Sequence, residues 1–221
     1  MTGRHFRARG AGFTLVEVLL ALTLLAALLA ALNQFVFSIT GLWASRQEEF
    51  VFTQHARAVS RRVGELMQGA ADSNRRSGVT TAAVAPADCS LPDGGTESLL
   101  AFDLPVGDPL MVWSGRALPE VRCAVGWRRE DGLVLYWKSR LELDYTTAPL
   151  RKTVLSGFVS AIRYDYYDAT TQTWKTEDAL RTTGQEVEVP ARLRIEFTRG
   201  RTKLEEIVPL PEASTQGLPL S

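Results

Sequence analysis

Twenty-seven consecutive residues, Phe13–Ile39, carry almost nothing but apolar side chains, and this run constrains the rest of the chain. Its only polar members are Thr14, Glu17, Thr23, Asn33, Gln34 and Ser38. As an α-helix it extends about 40 Å, enough to cross a hydrocarbon core of ~30 Å. Leu and Ala dominate, both strong helix formers, and neither Pro nor Gly interrupts. The competing reading is a buried helix of a soluble protein. One small domain has little room for a helix that is apolar on every side.

The flanks set the direction of crossing. Arg4, Arg7 and Arg9 precede the run with no acid among them, and the next basic residue is Arg46. This bias predicts a cytoplasmic N-terminus, a single pass and a translocated C-terminal part. A secretory signal peptide has an apolar core of only about 7–15 residues followed by a small-residue cleavage site, and neither matches. Within the run Glu17 is the anomaly. A carboxylate costs on the order of 2.5–3.5 kcal/mol at the centre of a membrane helix and less near an interface. It is either an acid snorkelling to the headgroups or a functional charge.

Composition removes several classes of function. The 221 residues hold 25 basic and 25 acidic side chains, so the basic excess of a nucleic-acid binder is missing and no nucleic acid is expected as partner. Two cysteines are too few for a disulfide-dense mini-domain or a four-thiolate zinc site. No P-loop, G-x-G-x-x-G or H-E-x-x-H pattern occurs, so no cofactor or metal is expected. Beyond residue 12 the only histidine is His55, and a catalytic Ser-His-Asp or Cys-His set would have no other base. His55 reads as a solvated residue on a helix, and the chain does not read as an enzyme.

Residues Gly12-Phe13-Thr14-Leu15-Val16-Glu17, behind the basic leader and ahead of the Leu/Ala run, resemble a class III signal peptide. Type IV pilins and type II secretion pseudopilins carry this signal, and all six positions match its G-F-T-L-x-E form. The resemblance implies that a prepilin peptidase cuts between Gly12 and Phe13 and methylates the new amino group of Phe13. It also assigns Glu17 to assembly, pairing with that amine on a neighbouring subunit. Loss of residues 1–12 removes three arginines and no acid, leaving 22 basic against 25 acidic residues.

Past the membrane segment, 13–40, an amphipathic stem is expected over 41–69. Phe52, Ala56, Val59, Val63 and Leu66 form a one-face stripe, and Gly69 is a plausible stop. Residues 70–97 read as an irregular loop. A β-rich domain follows over 98–210, then a flexible tail, 211–221. Strands are expected at Leu99–Phe102, Met111–Trp113, Val121–Arg129, Leu133–Lys138, Val159–Tyr167 and Lys203–Val208, with another carried by Leu193, Ile195 and Phe197. Glu130-Asp131-Gly132 makes a hairpin turn. The fold class is α+β: a long N-terminal helix, transmembrane then amphipathic, packed on an antiparallel sheet as in pilins.

A second resemblance runs through this domain. Leu155-Ser156-Gly157, then Ile162-Arg163-Tyr164-Asp165-Tyr166, Trp174 and Val189-Pro190-Ala191-Arg192-Leu193-Arg194-Ile195, is similar to the pattern of J-type minor pseudopilins. Segment 70–130 adds nothing to it. The resemblance implies a tip complex with I-, K- and H-type subunits, the major pseudopilin, and an inner-membrane assembly platform, in contact with membrane lipid. The pseudopilus then extends from the inner membrane into the periplasm. The alternative is a minor pilin of a type IV pilus, for adhesion or DNA uptake.

Remaining chemistry is sparse. Cys89 and Cys123, on the translocated side, are either bridged or two buried thiols. A bridge would close a 35-residue loop, worth about 3–4 kcal/mol. Asp165 and Asp168 are two acids without a fuller calcium ligand set. Trp113, Trp127, Trp137, Trp174 and Tyr164–Tyr167 read as sheet and core residues, with a binding surface as the alternative.

Overall fold

The computed structural model describes residues 14–78, 81–113, 115–183 and 186–211. The leader, Phe13, and the tail beyond Pro211 lie outside the described residues. The chain divides into two compact units, Met1–Phe50 and Val51–Ser221. Helix α1 (Leu15–Arg76) supplies the described part of the first and the opening element of the second.

In the first unit the apolar run is helical, as expected. Leu15–Thr40 is long and apolar enough to cross a membrane, and none of that window is buried inside the protein. Leu20, Leu24, Leu28 and Phe35 are all exposed. Leaving so many large apolar side chains in water is unfavourable at roughly 1.5–3 kcal/mol each, so this segment needs lipid or other helices around it.

In the second unit α1 buries the predicted stripe: Phe52, Ala56, Val63 and Leu66, joined by Met67, Ala70 and Ala71. Gln54, Arg57, Arg61 and Glu65 stay exposed. The helix does not stop at Gly69. A helical glycine costs only about 1 kcal/mol relative to alanine, and the burial of Ala70 and Ala71 beyond it more than offsets that. The terminator is Gly78, whose φ of +66° suits a residue without Cβ, with its N–H on the Arg75 carbonyl.

Two antiparallel sheets share the core with this stripe. The first has the order β1-β2-β5-β6-β7, from β1 (Val84–Ser90), β2 (Thr96–Leu104), β5 (Val121–Arg128), β6 (Gly132–Ser139) and β7 (Arg151–Ser156). The second has the order β13-β12-β8-β9, from β8 (Val159–Asp168), β9 (Thr173–Glu177), β12 (Arg192–Arg199) and β13 (Thr202–Pro209). Two small ribbons complete the unit: β3 (Val112–Trp113) with β4 (Arg116–Ala117), and β10 (Thr182–Thr183) with β11 (Glu186–Val187). The α+β layout is as expected. The division into two sheets is new, as are strands β1, β7 and β9.

Residues 70–97 are therefore not a loop: they hold the last turns of α1, strand β1 and the start of β2. Pro86 obscured β1 in the sequence. It is tolerated because β1 is an edge strand and needs hydrogen bonds on one side only.

Strand β6 is buried along its whole length. One face lies in the main core. The other, with Val134 and Tyr136, joins Cys89, Leu91, Leu99, Ala101 and Ala124 in a second cluster. Leu150 and the segment before it cover that side. Lys138, 1% exposed, donates from Nζ to the carbonyls of Asp144 at 2.5 Å and Ala148 at 2.8 Å, fixing the segment in place.

The β5–β6 turn is the expected one, with Arg128 opposite Gly132. Gly132 has φ +75°, and a Cβ there would collide with the Ser156 carbonyl oxygen and stand 2.9 Å from Gly157 Cα. Gly132→Ala is expected to destabilise by at least about 1–3 kcal/mol from backbone strain alone. A urea unfolding midpoint equal to that of the parent protein would contradict this.

The cysteine bridge is not formed; both thiols are free and buried. Cys89 belongs to the second cluster and Cys123 to the main core, so the first sheet lies between them. Alternation along β1 and β5 decides this, because side chains on opposite faces cannot meet. Cys123 Sγ instead lies 3.2 Å from Met111 Sδ, and burial pushes both thiols above their usual pKa. Alkylation after unfolding without reductant should label two sites; an unlabelled protein would restore the bridge.

Candidate functional site: the start of the membrane helix

Thr14 immediately precedes α1 and caps it. Its carbonyl accepts the N–H of Glu17 at 3.0 Å and of Val18 at 3.3 Å, and its hydroxyl oxygen lies 3.3 Å from the Glu17 N–H. Thr followed three residues later by Glu has the spacing of a capping box. The same spacing ahead of an apolar run is a readable sequence signal for a helix start at Thr14.

Glu17 lies in the first turn, exposed, and its carboxylate has no partner among the described residues. The first N–H groups of a helix are unpaired, and the helix dipole places partial positive charge there. The start of α1 is therefore the part of the apolar segment that best tolerates a carboxylate, and this one remains free to meet a cation from outside the subunit. Thr23 and Thr40 donate to the Leu20 and Val36 carbonyls at 2.8 and 2.9 Å, so their hydroxyls are satisfied within the helix. That lowers their cost in lipid.

Residues 7–33 carry the prokaryotic N-terminal methylation motif. That span holds Gly12, Phe13 and Glu17 together with most of the apolar helix. The motif points to a type IV pilin-like precursor, a substrate of a prepilin peptidase destined for pilin-type assembly. Gly12 and Phe13, the expected cleavage and methylation positions, lie outside the described residues. No curated protein and no solved structure matches the chain.

Elsewhere several side chains differ from expectation. His55 is not simply solvated. Its Nε2 lies 2.8 Å from the Ser156 hydroxyl and its ring packs edge-on to Phe158 at 5.4 Å. The Ser156 hydroxyl oxygen also lies 3.3 Å from the Phe158 amide nitrogen, so the pair ties the stem of α1 to the turn between β7 and β8. Asp165 is enclosed by Arg194 and Thr176, while Asp168 pairs with Lys175. The two carboxylates thus serve different cations.

The tryptophans divide. Trp137 is buried, and Trp127 donates to the Val159 carbonyl. Trp113, read as a sheet or core residue, lies on ribbon strand β3 and is 54% exposed. It stacks on the Arg151 guanidinium, 4.2 Å from the ring centre, and Arg151 in turn grips Glu142 through two bonds of 2.6 Å. Those bonds hold the Glu142 carboxyl below its usual pKa. Trp174 on edge strand β9 lies under Arg192 at 3.8 Å and beside Tyr167.

Proposed function

We propose that the chain is a minor pseudopilin precursor of a type II secretion system. In this reading prepilin peptidase cleaves between Gly12 and Phe13 and methylates Phe13. Leu15–Thr40 holds the subunit in the inner membrane with its N-terminus cytoplasmic and unit Val51–Ser221 periplasmic. The subunit then enters the pseudopilus tip beside I-, K- and H-type subunits above the major pseudopilin. Its work is assembly rather than catalysis, in support of protein secretion.

The observation that carries this reading is the coincidence of three features. The methylation motif, the start of a membrane-length helix and a first-turn carboxylate with no partner among the described residues all fall within residues 7–33. The J-type assignment rests on the second resemblance. Its positions in β8, β9 and β12 gather on the four-stranded sheet, where Tyr164, Tyr166, Leu193 and Ile195 fill the core and Trp174 stacks under Arg192.

Mass spectrometry of the mature protein tests the processing. We expect an N-methylated Phe13 as first residue; a retained Met1 or a cut after residue 39 would overturn the reading. Deletion tests the system served. A secretion defect with surface pili intact is expected, and loss of pili with secretion intact would transfer the subunit to a type IV pilus.

A further inference from the structure

We propose that the groove between the stem of α1 and edge strand β13 is a docking site for an extended peptide segment of a partner protein. The segment would add to β13 as a fifth strand of its sheet and place a carboxylate against Arg61. Among the described residues β13 pairs with β12 alone, so its outer side presents a row of main-chain N–H and C=O groups. A groove of about 310 Å³ runs between that edge and the helix.

Three features give the groove its chemistry. Ser60 on its helical wall is 6% exposed, and its hydroxyl has no hydrogen-bond partner among the described residues. A buried polar atom left in that state is rare. Arg61, one residue on, is exposed and has no ion-pair or hydrogen-bond partner among the described residues. Arg57, also on that wall, has only a long contact with Glu206, at 3.9 Å. Ile207 on the strand wall is exposed and offers an apolar contact to an incoming side chain.

The charge pattern argues against a second copy as the occupant. Two copies of β13 paired antiparallel about a two-fold axis set each central residue opposite its own copy, Glu205 on Glu205 or Glu206 on Glu206, and like charges directly opposite repel. Each glutamate of β13 already has a basic neighbour, Glu205 in a close pair with Arg194 and Glu206 at 3.9 Å from Arg57. The unmatched charge is Arg61, which selects an acidic segment. A strand fits better than a helix because main-chain groups along β13 supply most of the bonds.

The test uses the full chain in phosphatidylcholine nanodiscs, titrated with the capped peptide Thr-Val-Thr-Glu-Thr-Val-Thr. Amide hydrogen exchange is read by mass spectrometry, with a Lys-centred peptide as control. At about ten times the dissociation constant, amides within residues 202–209 that the peptide protects should exchange about tenfold more slowly. The Lys peptide should bind more weakly, and Arg61→Glu should reverse the preference. Arg61 is exposed, so this variant keeps its fold. Unchanged exchange in that stretch, protection already present without peptide, or equal binding of both peptides to parent and variant would each overturn the proposal.

Discussion

Glu17→Leu should leave the precursor cleaved and methylated while excluding it from the filament. The carboxylate lies in the first turn of α1 without a partner among the described residues, at the helix end where a negative charge is best tolerated. Assembly by the proposed route brings a neighbour's Phe13 amine to it. Removing one member of a buried ion pair costs about 3–5 kcal/mol because the remaining charge is stranded, a loss of at least about 100-fold in the assembly constant. Crosslinking between subunits in vivo would measure incorporation, and immunoblotting would separate precursor from mature chain. A variant that crosslinks like the parent removes Glu17 from assembly. Glu17→Asp should recover part of the incorporation, since it keeps the charge on a shorter arm.

Asp165→Ala should be the most destabilising exchange of a charged side chain in the β-rich unit. Asp165 is 1% exposed. Its Oδ1 accepts from Thr176 Oγ1 at 2.7 Å and Arg194 Nε at 3.1 Å, and its Oδ2 accepts from Arg194 Nη2 at 2.8 Å. Truncation leaves a hydroxyl and a guanidinium without these acceptors between β8, β9 and β12. Arg194 keeps Glu205 and some access to water. The expected loss therefore falls toward the lower end of the roughly 3–5 kcal/mol for a broken buried pair. Typical domain stabilities are about 5–15 kcal/mol, so the urea midpoint should fall markedly. Asp168→Ala is the control, because Asp168 pairs with Lys175 at the surface and its loss should shift the midpoint little. Bonds from Lys175 and the Thr171 and Thr170 amides hold the Asp168 carboxyl at about 2. Its small contribution is fully present above the ordinary carboxylate pKa and is lost as pH falls from there through about 2. An Asp165→Ala midpoint no lower than that of the control would refute the ranking.

The two ends of the chain were unequally legible. In an apolar segment of membrane length each turn of helix satisfies its own backbone, so local composition determines the structure. Phe13–Ile39 could be read without knowing what lies beside it, and so could the hairpin at Gly132, whose conformation depends on one glycine. Strand β1 could not. It contains Pro86, Asp88 and a single buried cysteine, and it becomes a strand because β2 offers an edge to pair with. Strand β7 alternates modestly and β9 is mostly exposed, so neither carries a strong period of its own.

The sequence by itself determined an apolar helix of membrane-spanning length, its first-turn acid, the amphipathic stripe from Phe52 to Leu66 and an antiparallel α+β layout. These follow from periodicity and composition within short windows. Only the tertiary structure decided that two sheets share one core, that Cys89 and Cys123 stand on opposite faces, that Trp113 is a surface residue stacked on Arg151, and that Ser60 and Arg61 face an open strand edge. Each of these depends on which face of one element meets another many residues away. A window of sequence states how a side chain alternates, and not what waits on either side of it.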